Sequence, residues 1–172
     1  RPTRDEAVAT MIRALAGQAC THQSQQLLRH SGDHAWPLAY ALAWISVSGE
    51  KSVMPPWVRH QFPMAGELVR KLRDTPCGSG YCAWCAEHHD ARKVLTRFFG
   101  FSEFRPEPVS PDGMPMQQAI VEAAMRGDHV LGILPTGTGK SICYQVPALS
   151  RYFNTGALTV VISPLVALMA DQ

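Results

Sequence analysis

The chain is 172 residues long, 46% hydrophobic and 17% charged, an ordinary globular composition that can bury a real core as one or two domains. Its 16 basic and 14 acidic residues nearly cancel, so net charge alone makes no case for a nucleic-acid partner. The longest apolar stretch, residues 36–47, falls well short of the roughly 18 to 20 residues that cross a bilayer, which excludes a membrane-spanning helix.

The charge is unevenly placed. Residues 1–98 hold 12 basic and 8 acidic side chains and residues 99–172 hold 4 and 6, so any electrostatic footprint lies in the first part or outside this sequence. Five cysteines, three of them between positions 77 and 85, suit metal binding in a reducing compartment better than a disulfide framework, and a cytoplasmic location is expected. The sequence opens at Arg1 without an initiator Met and is expected to be part of a longer protein.

In chain order, Ala7, Val8, Met11, Ile12 and Leu15 recur at helical spacing and predict a helix that gives way to the polar run THQSQQLLRH. Cys20, His22, His30 and His34 match no common metal spacing and read as a part-buried thiol and solvated imidazoles. Residues 36–47 predict a helix buried on most of its surface. Prolines 55, 56 and 63 remove donors and restrict their neighbours, so residues 57–63 are expected to be irregular. Residues 65–74 predict a short amphipathic helix with Leu68, Val69 and Leu72 on one side.

Cys77-Gly-Ser-Gly-Tyr-Cys82-Ala-Trp-Cys85-Ala-Glu-His88-His89 has the spacing of a metal knuckle. The tight Cys82-x-x-Cys85 pair presents two thiolates to one ion, Gly78 and Gly80 allow the approach, Cys77 adds a third ligand, and His88 or His89 can supply the fourth. Such a set predicts a closed, structural Zn²⁺ site ahead of a helix over 92–99. Two alternatives stay open: an iron–sulfur cluster taking Cys20 as its fourth thiolate, and reduced cysteines in a loop without metal.

A helix is predicted over 118–125, ended by Arg126-Gly127-Asp128, then a buried strand over 130–134, a glycine loop over 136–139 and a helix from Lys140 to about Phe153. This strand, loop and helix order is the context a phosphate-binding loop requires. Gly137 and Gly139 let consecutive N–H groups of Thr136, Gly137, Thr138 and Gly139 face phosphate oxygens at the positive end of the new helix. Lys140 is placed to reach the β and γ phosphates of ATP, and the Ser141 hydroxyl to bind Mg²⁺. The generic pattern is missed at its first position, where Leu134 stands in place of Gly. A β-branched run over 158–163 predicts a second strand, the start of a doubly wound α/β sheet.

Four blocks together resemble the RecQ family of superfamily 2 DNA helicases: FFGFSEFRP (98–106), QQAIVEAAMRGDHVL (117–131), PTGTGKSICYQVPAL (135–149) and LTVVISPLVALMADQ (158–172). The resemblance covers about the last 75 residues and none of the first 95. It implies that Phe101 stacks on the adenine of ATP, Arg105 lies over the base or ribose, and Gln117 bonds the adenine edge. Here the ten residues EPVSPDGMPM separate Pro106 from Gln117, an insertion read as a surface loop. By the same resemblance Ser163, Pro164 and Leu165 belong to a motif that touches the backbone of single-stranded DNA. The family carries its zinc-binding element after the motor domains, so the cysteine cluster stands on its own residues.

The expected architecture is therefore α/β. A mostly helical module with a zinc knuckle occupies residues 1–95, and residues 96–172 begin a RecA-like P-loop domain with a parallel sheet. The implied function is an ATP-dependent DNA helicase translocating 3′ to 5′ on single strands. No D-E-x-H block or second motor domain follows Ser163, so the 172-residue piece alone is expected to bind nucleotide weakly and not turn it over. The rival readings are a P-loop nucleotide-binding protein that does not act on DNA, and a zinc-dependent DNA-docking module.

Overall fold

The computed structural model describes residues 6, 9, 10, 13, 17–29, 35–48 and 54–162. Their helices are α1 Thr21–Arg29, α2 Ala35–Ser48, α3 Pro56–Gln61, α4 Met64–Arg73, α5 Ala83–His88, α6 Ala91–Phe99, α7 Met116–Arg126 and α8 Ser141–Thr155. Ahead of α1, Glu6, Ala9, Thr10 and Arg13 lie in helical backbone, where the apolar spacing predicts it.

Most helix boundaries follow local chemistry. Asp90 precedes α6 and its side chain accepts from the backbone N–H of Arg92 and Lys93, an N-cap of the usual kind. Gly127 closes α7 at φ +91°, in the turn the sequence predicts. Helix α3 corrects the expectation of irregular chain over 57–63. Pro56 sits in the first helical turn, where its missing N–H costs nothing and its fixed φ favours the helix, so proline starts α3 and does not prevent it.

Two cores result. Helices α2, α3 and α4 bury Ala41, Leu42, Trp44, Ile45, Val58, Leu68, Val69 and Leu72 against one another, with Ala19 and Met54. Helices α6, α7 and α8 bury Val94, Leu95, Phe104, Val121 and Val146, with Phe98, Phe99, Met125 and Ile142 packed alongside. A division between residues 95 and 96 passes through α6, whose residues on both sides share this second core. The three cysteines of 77–85 form a third cluster with Cys20, which bonds the end of α4.

Among the described residues the runs expected as strands, 130–134 and 158–162, lie in no ladder. No strand is present among the described residues, whose only ladder contact is an isolated antiparallel bridge from Val109 to Pro115. Residues 130–134 and 158–162 run outside any helix, and Leu131, Ile133, Leu158 and Ile162 are exposed. The physical reason is that a strand is held by bonds to a neighbouring strand, and apolar β-branched content supplies none of these. Ser163, Pro164 and Leu165 lie outside the described residues, as do His30 and His34.

Leu72 is fully buried at the contact of the first core with the cysteine cluster. Leu72→Ala is expected to lower stability by about 2 to 5 kcal/mol in denaturant unfolding, the loss typical of a cavity in a helical core.

Candidate functional site

The turn 136–140 is built around two glycines in left-handed backbone, Gly137 at φ +78° and Gly139 at φ +72°. Residues with a Cβ are strained in this conformation, which explains both glycines. Thr138 Oγ1 donates to Pro135 O at 2.7 Å and closes the turn from inside. Lys140 caps α8, and its carbonyl accepts from Cys143 N at 3.0 Å, so the helix begins immediately after the turn. Among the described residues no backbone bond uses the N–H of Gly137, Thr138 or Gly139. Those donors and the positive end of a 15-residue helix make an anion cradle.

Three carbonyls of the same turn, those of Gly137, Thr138 and Gly139, accept side-chain donors. Arg105 Nη1 donates to Gly137 O at 2.7 Å, and Gln117 Nε2 donates to Thr138 O at 2.5 Å and to Gly139 O at 3.0 Å. Gln117 Oε1 accepts from Arg105 N at 3.1 Å, so the two side chains and the turn form one network. Gln117 is buried, at 3% exposure, on the first turn of α7. A Cβ on Gly139 would meet Gln117 Nε2 at 3.0 Å, so this glycine is required for close approach as well as for φ. Phe101, Arg105 and Gln117 line one cleft of about 560 Å³ together with Gly139, Ile142 and Phe104. That volume falls in the range of small-ligand sites. The exposed ring of Phe101 forms part of its wall, and Thr96 Oγ1 fixes the backbone there by donating to Phe101 O at 2.9 Å.

The second group of chemical interest is four cysteines. Sγ of Cys20, Cys77, Cys82 and Cys85 lie within 4.8 Å of one another. The closest approaches are Cys20 to Cys82 at 3.7 Å and Cys77 to Cys85 at 3.6 Å. Four thiolates about 2.3 Å from one zinc stand about 3.8 Å apart at the corners of a tetrahedron, so the set fits a single ion. An iron–sulfur cluster places several irons and sulfides among its thiolates and would need the sulfurs spread wider. Backbone N–H groups point at two of them, Cys77 N to Cys85 Sγ at 3.4 Å and Gln23 N to Cys20 Sγ at 3.5 Å.

Burial pushes the Cys20 thiol up to about 11 and the Cys85 thiol higher still. It acts on Cys82 too, but there the Cys85 N–H, His22 and the neighbouring thiols prevail and bring the group down to about 6. Proteins hold four adjacent thiolates by placing a cation among them. The four-cysteine group is thus compatible with zinc.

His88, expected as the fourth ligand, is not part of this group. On α5 it lies one turn beyond Trp84, stacks on the indole at 3.5 Å between ring centroids, and places Nδ1 2.9 Å from Trp84 O. The i to i+4 neighbourhood of the helix and the aromatic face outcompete the metal position. His89 is also outside the group; its Nε2 is buried without a partner, and burial lowers its pKa to about 4. Cys20, which the sequence presents as a plain thiol or as a ligand only for an iron–sulfur cluster, is made the fourth sulfur by the fold. Its 62-position separation from Cys82 hides it from any spacing rule. Cys143, on α8, stands apart and is half-buried.

Gly139→Ala combines a strained φ with the Gln117 contact. It is expected to cost about 1 to 2 kcal/mol of stability in denaturant unfolding, with the strain located in the turn.

The family model for DEAD/DEAH box helicases matches residues 114–172. ATP-dependent DNA helicase RecQ of Haemophilus influenzae is 42% identical over 86 residues, 50% of this chain and 12% of that protein. ATP-dependent helicase SGS1 of Saccharomyces cerevisiae is 47% identical over 62 residues, 36% of this chain and 4% of that protein. ATP-dependent DNA helicase Q5 of Rattus norvegicus is 39% identical over 82 residues, 47% of this chain and 7% of that protein. The chain therefore spans between 4% and 12% of the length of these curated relatives. No solved structure matches it. Among the described residues no helix is long and apolar enough to cross a membrane. With the turn at 136–140 and the residues that brace it in view, residues 114–172 are similar to DEAD/DEAH box helicases, and about half of the chain is similar to helicases of the RecQ type.

Proposed function

We propose that this chain contributes the nucleotide-binding part of an ATP-dependent DNA helicase of RecQ type, a motor that moves 3′ to 5′ on single-stranded DNA in the cytoplasm. The observation that carries the reading is the cradle, in which two left-handed glycines stand directly before Lys140 and α8 and are braced by Arg105 and Gln117. In this reading the helices ahead of α6 form a helical module, and the chain from α6 onward begins a RecA-like domain, to whose parallel sheet the apolar runs 130–134 and 158–162 would contribute once paired.

The N–H groups of 136–139 and the start of α8 take the phosphates of ATP. Lys140 pairs with the β and γ phosphates and draws off charge as the terminal phosphoryl group leaves. The Ser141 hydroxyl is a ligand for Mg²⁺, which when bound neutralises phosphate charge. Phe101 stacks on the base, while Arg105 and Gln117 recognise it from the same network that shapes the turn, so base binding and phosphate binding share one set of bonds. Ser163, Pro164 and Leu165 touch the DNA backbone.

We further propose that Cys20, Cys77, Cys82 and Cys85 hold one structural Zn²⁺. The four-sulfur set leaves no open coordination position, which suits a structural role and no catalytic one. Elemental analysis of the purified full-length protein is expected to return one zinc per chain, and iron in its place would overturn the assignment.

The functional reading is tested by the steady-state ATPase rate of the full-length protein with and without single-stranded DNA. The wild type is expected to be stimulated by DNA, and Lys140→Ala to fall by at least about 100-fold. ATP hydrolysis that ignores DNA would favour a P-loop protein acting elsewhere, and hydrolysis surviving Lys140→Ala would refute the cradle.

A further inference from the structure

The cysteine cluster is bonded to the end of α4, and the residue that caps α4 pairs with α8. Cys20 N donates to Leu72 O at 3.2 Å, in the last turn of α4. Gln23 Nε2, in the first turn of α1, donates to Thr75 O at 3.1 Å. The four sulfurs therefore close around a stretch in which the end of α4, Asp74 and Thr75 are all held. Asp74, which caps α4, pairs its carboxylate with α8. Its Oδ2 lies 3.8 Å from Arg151 Nε, and burial raises its pKa against the opposing pull of Arg151 and Asn154. That carboxylate is only 17% exposed, so the ion pair is better shielded from solvent than the salt bridges Lys71–Glu67, Lys93–Glu87 and Arg126–Asp128. Arg151 Nη2 in turn donates to Ala124 O at 2.6 Å, at the end of α7. Helices α7 and α8 carry Gln117 and Lys140 at their opposite, cradle ends.

We propose that Asp74 is a positioning residue for nucleotide binding, and that the thiolate-bound metal acts through it to hold α7 and α8 in the register that aligns the cradle. The inference rests on the zinc reading above and extends it from local structure to the ATP site. Metal loading and nucleotide binding are then coupled through α4, Asp74 and Arg151, three elements in continuous contact. Asp74 touches neither ligand. Its effect belongs to affinity for ATP and leaves the chemistry of the bound state alone.

The test uses the full-length protein, ATP itself as the probe in calorimetric titration, zinc content by elemental analysis, and the split between KM and kcat. Asp74→Ala leaves all four cysteines in place. It is expected to keep one zinc, weaken ATP about fivefold and raise KM by the same factor with kcat little changed. Arg151→Ala combined with Asp74→Ala is expected to lose no more than Arg151→Ala alone, the signature of a shared interaction. Cys20→Ser is expected to lose zinc and show the same ATP defect, with Asp74→Ala adding nothing in that background. Unchanged ATP affinity in Asp74→Ala, or strictly additive losses in the pair, would overturn the proposal while leaving the zinc reading intact. A wild type without zinc would overturn both, and a wild type that holds zinc but binds no ATP would instead overturn the nucleotide reading. Should Cys20→Ser fail to fold, the Asp74 and Arg151 variants decide the matter alone.

Discussion

A turn that leaves its N–H groups without backbone partners turns its carbonyls toward other donors. Here Gly137 O, Thr138 O and Gly139 O are met by Arg105 and Gln117, and much of the second half of the chain can be understood as the means of delivering those two side chains. Helix α7 brings Gln117 to the cradle from its first turn, while the segment after α6 brings Arg105, and the Val94, Leu95, Phe104, Val121 and Val146 core holds these elements to α8. The hydrogen-bond donors fix the glycines more firmly than local preference could. Two residues with no side chain have little else to hold them in one conformation.

The first half follows a different logic. Its apolar helix α2 is covered by α3 and α4 in a small core, and small cores stabilise only marginally. On the proposed zinc reading, the four-cysteine group beside this core compensates in the way compact domains often require, by joining chain segments far apart in sequence. Cys20 comes from the start of α1 and the other three from a loop and α5, so the site closes only when both segments are in position.

Features set by local sequence could be read directly. The glycine turn, the onset of α8, the amphipathic face of α4 with Leu68, Val69 and Leu72, and the Gly127 stop each depend on residues within one or two turns. What could not be read depends on partners remote in sequence or on position within a turn. Cys20 becomes a ligand candidate because α1 packs at the end of α4, His88 is drawn off by Trp84, and Pro56 begins a helix because it falls at a position where proline is tolerated. The runs 130–134 and 158–162 carry β-forming side chains, yet a strand is a relation between two segments and no ladder joins them among the described residues. Gln117 shows both sides of this. Its place in the adenine block follows from resemblance to a family, while its grip on the turn's carbonyls emerges only from the fold.

The ten residues between Pro106 and Gln117 illustrate how a chain can lengthen without disturbing its chemistry. Ser110 N bonds Met114 O at 2.8 Å, Met116 N bonds Pro108 O at 2.8 Å, and Val109 bridges Pro115, so the excursion leaves and returns at nearly the same point. A detour that buckles its own two ends together passes no displacement on to α7, and added length costs only slowly growing closure entropy. Arg105 and Gln117 therefore meet as though adjacent. The tip of this detour is the natural place to splice in a fluorophore or an affinity handle near the cleft lined by Phe101, Arg105 and Gln117 without moving those residues.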